Sequence, residues 1–402
     1  MLDRRTRRDA EVTHVSPSEF FGEPFARLAR RHGALVAEAM DGLAAKPLTV
    51  EVGSGAWTIA RDGDGIVVTT NRADDAAIVT LTDEQFSLWA QQQMSFNGMV
   101  VARSLATRNA SSRDVSIWDS LSLTLLEGWP TVSDHVSFLD RAGQPLDLHR
   151  SFTPDDDPAE VAHFLAEAGY LHLEGWADPA DMSTIAADID RAVPHYEPTD
   201  GKSWWATLQD GSLVCVRLQE FLGHSPTTVD LLSSERWDQL RRTIGGEVDL
   251  VQAPVEGRCI EALIKPVGVA SGPSDLTFHR DCHLGRHAYG CSSMTVGVSV
   301  TGSDSSNGQL RVVAGSHRVA LPVEIAKSDP YLPVVAFTTE PGDLTVHLSC
   351  TLHEATPPVH APRKVMYTGF HLPSLPDSGP ARSQHLSELR ERVHVIHRDT
   401  TR

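Results

Sequence analysis

The run Phe278-His279-Arg280-Asp281-Cys282-His283 decides how this 402-residue chain is read. In an extended strand, residues i and i+2 point to the same face, so His279 and Asp281 converge on one point. An imidazole and a carboxylate so placed make two-thirds of a facial triad for non-haem Fe(II), a site that keeps positions open for a co-substrate and oxygen. The third ligand must come from a neighbouring strand, and His347, His353, His360 and His371 all stand as candidates. Taken alone, the pair also reads as a surface histidine beside an acid.

Three features around that run narrow the reading. Gly342-Asp343-Leu344 opens a strand, and Thr351-Leu352-His353 follows before a polar turn, Glu354 to Pro358. Arg363 lies ten residues after His353 and leads into Val365-Met366-Tyr367. Between the two halves runs Asn307-Gly308-Gln309-Leu310-Arg311-Val312-Val313-Ala314-Gly315-Ser316-His317-Arg318, whose Asn-Gly pair and alternation predict a hairpin. Together these residues resemble the phytanoyl-CoA dioxygenase family of Fe(II)- and 2-oxoglutarate-dependent oxygenases, whose members run HxD, NGxLxVxPGSHR, then GDL…LH…RK. Lys265-Pro266 resembles the family's KPP segment, and Asp157–Val193 resembles its opening helix, strand and helix, so the likeness covers about residues 157–373.

What the resemblance implies can be placed residue by residue. His279, Asp281 and His353 would be the iron ligands, and Arg363 would bind the distal carboxylate of 2-oxoglutarate. A guanidinium fork suits that task because it grips a carboxylate through two parallel hydrogen bonds. Lys265 is expected to add a second polar contact to the co-substrate. His283 matches a histidine common in the family and is expected to line the pocket or hold Asp281, with Trp205, Arg217 and Gln219 as further pocket residues. His347 is expected to be packed or to support a ligand. Because Asp281 is present, halide transfer is disfavoured: members that transfer halide lack this carboxylate. A proline of the family motif is replaced by Ala314, and Gly297 stands near a position where a tryptophan is common, which is expected to enlarge the pocket beside the iron. The activity implied is a dioxygenase reaction using O2, by default hydroxylation of an unactivated C–H with release of succinate and CO2. The substrate would be a small hydrophobic, lipid-like or secondary-metabolite molecule. The competing reading is a non-catalytic lipid or small-molecule binding protein that retains a vestigial metal site.

Composition sets outer bounds. Lys+Arg number 35 and Asp+Glu 53, a formal charge of −18, which argues against nucleic acid as a partner. No stretch approaches the ~18–20 consecutive apolar residues of a membrane span. The arginine-rich start, Arg4 to Arg8, has no apolar run after it, and five cysteines without a CxxC pair suit a reducing compartment, so a cytoplasmic protein is expected. A homodimer is a further expectation.

The chain divides at a linker-like stretch, Arg141–Pro158, giving an expected 1–150 domain and a 151–402 oxygenase domain. In the first, a helix over Phe25–Leu43 precedes β-rich runs Leu48–Val52, Trp57–Arg61, Ile66–Thr70 and Ala77–Leu81, with a hairpin turn at Asp62–Gly65. Thr82-Asp83-Glu84-Gln85 then predicts a capping box opening a second helix. An α+β module built on an antiparallel meander is expected. Asp74–Gln93 resembles sterol carrier protein-type modules, which would imply an apolar cavity for a lipid-like molecule. In the second domain, Asp157-Pro158-Ala159-Glu160 predicts an N-cap, a proline at N1 and a capping-box glutamate. The short strands that follow, separated by Gly, Pro, Ser and Asn, predict a double-stranded β-helix (a cupin-like jelly roll) with flanking helices. Leu386, Leu389, Val393 and Ile396 predict a C-terminal helix.

Overall fold

The computed structural model describes residues 13–372 except 93, 247–248, 253–259, 273, 275 and 285–292; the expected C-terminal helix lies outside the described residues. Strands β1 (Leu48–Val52), β2 (Gly55–Asp62), β3 (Gly65–Thr69), β4 (Ala77–Leu81) and β5 (Ala106–Arg108) form the first sheet, in the order β3-β2-β1-β4-β5. The β2–β3 hairpin turns where expected, with Asp62 opposite Gly65. The meander stops there. Strand β4 lies parallel to β1, with Leu48 opposite Ala77 and Val52 opposite Leu81, so the sheet is mixed. Burial gives the reason: β1 is covered at every position, while β3 is largely solvent-facing. Ala77, Val79 and Leu81 of β4 are hidden only beside the covered strand.

Helices α1 (Pro17–Phe20), α2 (Glu23–Gly42), α3 (Asp83–Ala90), α4 (Phe96–Val101) and α5 (Ser112–Glu127) pack on this sheet. Thr82 forms the expected capping box of α3: its hydroxyl accepts from the Gln85 N–H, and its own N–H donates to Gln85 Oε1 at 2.8 Å. The interior is a chain of rings: Phe20 and Phe86 touch each other and both Phe21 and Trp89, and Trp89 is stacked on Phe96 at 5.7 Å. Each fully buried ring contributes roughly 1.5–3 kcal/mol by removal from water.

The chain continues as α6 (Pro158–Ala168), β6 (Tyr170–Leu173), α7 (Pro179–Ala192), β7 (Ser203–Leu208), β8 (Leu213–Leu218), α8 (Pro226–Leu232), α9 (Glu235–Gly245), β9 (Val251–Gln252), β10 (Glu261–Lys265) and β11 (Val269–Ser271). It ends with β12 (Ser293–Ser299), β13 (Leu310–Val313), β14 (Val334–Ala336), β15 (Leu344–Leu348), β16 (His353–Ala355) and β17 (Arg363–His371). The large sheet runs β11-β7-β8-β10-β17-β12-β15-β6, with β9 also on β17, and every pairing in it is antiparallel. A small sheet, β14-β13-β16, forms separately. The molecule is therefore α+β, with an antiparallel architecture consistent with a jelly roll. Val296, Val298, Leu344, Val346, Met366 and Phe370 enter the core closed by Phe164, Ile185, Ile189 and Leu240 of the helices. Their alternate neighbours, Thr295, Thr345, His347 and Tyr367, belong by register to the other face.

Three local expectations are corrected. The glutamate of the expected capping box, Glu160, forms ion pairs with Arg141 and Arg150 instead, while Asp157 caps α6 through the Ala159 N–H at 3.0 Å. The linker-like stretch is held down: Phe152 is buried, and its backbone N–H and C=O bond to His172 and Glu174 at 2.9 and 2.8 Å. The Asn307-Gly308 hairpin does not form, because β12 and β13 lie in different sheets. Those residues shape the crossing, where a Cβ on Gly308 would sit 2.6 Å from the Thr356 carbonyl oxygen.

Candidate metal and co-substrate site

His279 and His353 face each other across an antiparallel bridge between the HxD segment and β16, with reciprocal N–H···O=C bonds of 2.9 and 3.0 Å. Each imidazole is fixed in the same way. His279 Nδ1 bonds to the Thr277 carbonyl at 2.8 Å and His353 Nδ1 to that of Thr351 at 2.9 Å, two residues back in both cases. A carbonyl can only accept, so Nδ1 carries the proton and the Nε2 lone pair stays available to a metal. Both Nε2 atoms point toward Asp281 Oδ1, at 3.5 Å from His279 and 3.7 Å from His353. One donor atom from each of the three residues lies within 4.8 Å of the others. Two imidazole nitrogens and one carboxylate oxygen are the donor set that suits non-haem Fe(II).

The second oxygen of Asp281 is turned away from this point. Oδ2 accepts a hydrogen bond from Thr295 Oγ1 at 2.8 Å and lies 3.4 Å from His347 Nε2. Thr295 and His347 are directly opposed in the β12–β15 register, so one cross-strand pair orients the carboxylate. Burial alone would raise the Asp281 carboxyl, but the surrounding imidazoles of His353, His279 and His347 hold it well below the usual carboxylate range. His353 is driven well below the usual imidazole value by burial and by its two histidine neighbours, which keeps it neutral. For His279, burial is outweighed by Asp281 and the Thr277 carbonyl, and its value is raised. His347 is buried at 1% exposure, its ring stands 4.0 Å from that of His353, and neither ring nitrogen has a hydrogen-bond partner among the described residues.

The two residues expected to contact the co-substrate meet on the large sheet. Lys265 and Arg363 are opposite one another in the β10–β17 register, and both are buried. Lys265 Nζ donates to the Ala355 carbonyl at 3.0 Å, which ties β10 to the strand carrying His353. Arg363 Nε and Nη2 are buried with no partner among the described residues. A buried guanidinium with two unmet donors is costly on its own and fits an incoming carboxylate.

The remaining expectations divide. Arg217 is ion-paired with Glu261, lies over the Trp204 ring at 4.3 Å, and shares Glu261 with Gln219 at 3.0 Å. Trp205 donates to Ser203 Oγ at 2.8 Å at a bulge in β7. These three therefore bond to their own sheet, and none bonds to the ligand cluster. His283 belongs to the turn Asp281–Leu284, but its side chain lies outside the described part of the structure. Gly297 does not enlarge the pocket: a Cβ there would meet Thr345 Oγ1 at 2.7 Å and Tyr367 Cε1 at 2.9 Å, so those side chains already fill the space. Asp343 of the Gly-Asp-Leu motif staples the start of β15, accepting from the Gly175 and Glu340 N–H groups at 2.9 and 2.8 Å. Thr295 and Glu261 were not read from the sequence. The available signal was the alternation of Thr295, Gly297 and Ser299 with buried valines, which marks a strand whose second face is polar and covered.

Comparison with known proteins follows the same line. The family described as Phytanoyl-CoA dioxygenase (PhyH) matches residues 165–362. No curated protein matches the chain. Among solved structures, AviO1 from Streptomyces viridochromogenes Tue57 is similar at 21% identity, covering 56% of this chain and 98% of its own, with a TM-score of 0.44. The non-heme alpha ketoglutarate dependent epimerase SnoN from nogalamycin biosynthesis is similar at 21% identity, covering 56% and 91%, with a TM-score of 0.42. EctD from S. alaskensis, with 2-oxoglutarate and 5-hydroxyectoine, is similar at 18% identity, covering 63% and 93%, with a TM-score of 0.43. The family match leaves the N-terminal sheet outside it, and nothing in these comparisons shows a sterol carrier there. Among the described residues, no helix is long and apolar enough to cross a membrane. Over residues 165–362 this chain is an oxygenase domain of the phytanoyl-CoA dioxygenase family, with iron and 2-oxoglutarate as its cofactors.

Proposed function

We propose that the chain is a dioxygenase whose iron is held by His279 Nε2, Asp281 Oδ1 and His353 Nε2. The observation that carries this reading is the shared orientation of the donors: both Nδ1 atoms are anchored to carbonyls and Oδ2 is anchored to Thr295, so three lone pairs converge. Arg363 takes the distal carboxylate of 2-oxoglutarate, and Lys265 beside it adds positive charge. In a protein of net charge −18, these two buried cations supply the local field that draws in an anion. When bound, iron and 2-oxoglutarate supply an oxidant for an unactivated C–H, with O2 consumed and succinate and CO2 released. The residues of the chain contribute geometry: Thr295 keeps Asp281 bound through one oxygen, and the His279–His353 bridge sets the spacing of the imidazoles. Thr345 and Tyr367 pack over Gly297 on that face.

The expected outcome is hydroxylation of a small hydrophobic, lipid-like or secondary-metabolite substrate, in an oxygenase unit of residues 151–402 preceded by a 1–150 unit. The full-length protein with Fe(II), ascorbate and 2-oxoglutarate should show a visible metal-to-ligand charge-transfer band under anaerobic conditions. A folded protein with neither that band nor succinate formation overturns the oxygenase reading. Substrate-triggered succinate release, screened over lipid, acyl-CoA and metabolite pools, identifies the substrate class, and product mass separates hydroxylation from epimerisation or ring closure.

A further inference from the structure

Arg280 lies between two of the proposed iron ligands, but its side chain runs the other way, into the contact with the N-terminal helices. It is buried, and all three of its guanidinium nitrogens donate to backbone carbonyls: Nε to Cys350 at 3.0 Å, Nη1 to Leu321 at 3.3 Å and Nη2 to Ser316 at 3.3 Å. Cys350 belongs to the turn that leads into His353, and the Cys282 N–H bonds to Ser349 of the same turn at 3.1 Å. The two arms of the ligand set are thus tied together from behind, through the backbone.

Those carbonyls take one N–H from each guanidinium nitrogen but do not offset the charge. A carboxylate that shares a cavity with Arg280 comes from the other sheet's helices. Asp119 of α5 is buried, its Oδ1 accepts from the Asn97 N–H at 2.9 Å, and its Oδ2 accepts from Asn97 Nδ2 at 2.9 Å. Asp119 thereby binds the first turn of α4, which packs against the Asp281–Leu284 turn. Asp119 and Arg280 line one small cavity of about 40 Å3 together with Asn97, Cys282, Ser316 and Cys350, and each is electrostatically coupled to the other. Burial pushes the Asp119 carboxyl up to about 6, against the opposing pull of hydrogen bonds from Asn97 and Ser95 and, after these, the charge of Arg280.

Resting on the iron-site reading above, we infer that Asp119 is a positioning residue for the metal centre: it holds Arg280, and through it the His279–Asp281 segment, in register with His353. The N-terminal helices then form part of the back wall of the oxygenase site. A buried cation that loses its counter-charge must move toward solvent or drag its surroundings with it. Here the nearest surroundings are two ligands. Groups that orient metal ligands from one layer out typically change metal affinity by about 10–100-fold when altered.

The test is Mn(II) affinity of the full-length protein in the presence of 2-oxoglutarate, read by electron paramagnetic resonance. Asp119→Asn should weaken Mn(II) binding by about tenfold while shifting 2-oxoglutarate affinity less, because Arg363 and Lys265 are on the large sheet. Phe86→Leu, which loosens the N-terminal core away from the contact, should lower the thermal midpoint and leave Mn(II) affinity within twofold. If Asp119→Asn folds and binds Mn(II) within twofold of the unaltered protein, the inference is overturned. Should that variant not fold, Asn97→Ala removes only the Nδ2 bond to Asp119 and should weaken Mn(II) about threefold; unchanged affinity there overturns it equally. An unaltered protein that takes up no Mn(II) defeats the ligand assignment itself, a different result from either of these.

Discussion

Both sheets bury polar side chains, but they treat them differently. In the N-terminal sheet, Thr49 and Thr58 share a hydrogen bond of 2.8 Å, and Thr58 also donates to the Asn71 carbonyl at 2.6 Å. Glu51 is met by Arg72, by Thr80 at 3.1 Å and by Arg108 at 2.7 Å. In the large sheet, Nδ1 of His347 and two donors of Arg363 are buried with no hydrogen-bond partner among the described residues, while His347 Nε2 faces Asp281 Oδ2 at 3.4 Å. Native interiors satisfy nearly all their buried polar groups, so unsatisfied ones call for an explanation, and on the proposed function a bound ligand supplies it in the large sheet. In the N-terminal sheet these buried groups are met by the protein itself.

That contrast can be broken most directly at the metal. His279→Ala should abolish the charge-transfer band and reduce succinate formation by more than about 1,000-fold, with little change in the far-ultraviolet circular dichroism. Next in size, Phe86→Ala should cost about 3–5 kcal/mol in denaturant unfolding of the N-terminal region, the usual range for a buried ring. The KM for 2-oxoglutarate should stay within twofold in conditions where that variant is folded. A large rise in KM would mean the two interiors are not separable in this way.

Arg363→Met sharpens the comparison from the other side. It should raise the 2-oxoglutarate KM by about 100-fold, the size of a lost charge-assisted pair. Without ligand it should keep or raise the thermal midpoint, since a buried cation with unmet donors is replaced by an apolar side chain of similar length. A fall in the midpoint of several degrees would show that the guanidinium is satisfied by the protein after all.

The smallest effect concerns Glu51. Burial would raise its carboxyl, but hydrogen bonds from Arg72, Thr80 and Arg108 outweigh that and lower it below the usual glutamate value. A carboxylate lowered by folding stabilises above its unfolded value and loses that contribution as pH falls through the folded value. Glu51→Gln should therefore cost about 1 kcal/mol near pH 7, and the difference from the unaltered protein should vanish in acid. Chemical denaturation at a series of pH values measures it; a constant difference across the series would exclude this carboxylate as the cause.

How much of this was legible depends on sequence distance. The N-caps of α3 and α6 involve residues no more than three apart, where backbone geometry leaves little choice. The HxD pair was expected along one strand, but only His279 pairs, through a single bridge, and Asp281 already opens the Asp281–Leu284 turn. The roles proposed for His353 and Arg363 rest on the order of motifs, since four histidines compete for the third ligand position. The pairing of β4 with β1 was misread because nothing local distinguishes a parallel neighbour from the next strand of a meander. Gly297 was misread for a similar reason: a missing side chain predicts a space, and only the packed structure shows that Tyr367 and Thr345 fill it.

By itself the sequence supplied the residue types: imidazoles and a carboxylate in one motif, an arginine ten residues after His353, and polar and apolar residues alternating along the strands. These follow from side-chain type and from the two-residue period of a strand, both properties of the chain before it folds. The tertiary structure alone decided which lone pairs are free. That depends on Thr277, Thr351 and Thr295 occupying the other atoms of His279, His353 and Asp281, and on Asp119 standing behind Arg280, 161 residues away in the chain. Hydrogen bonds and buried charges act over a few ångströms, so their partners are fixed only once the sheets have closed.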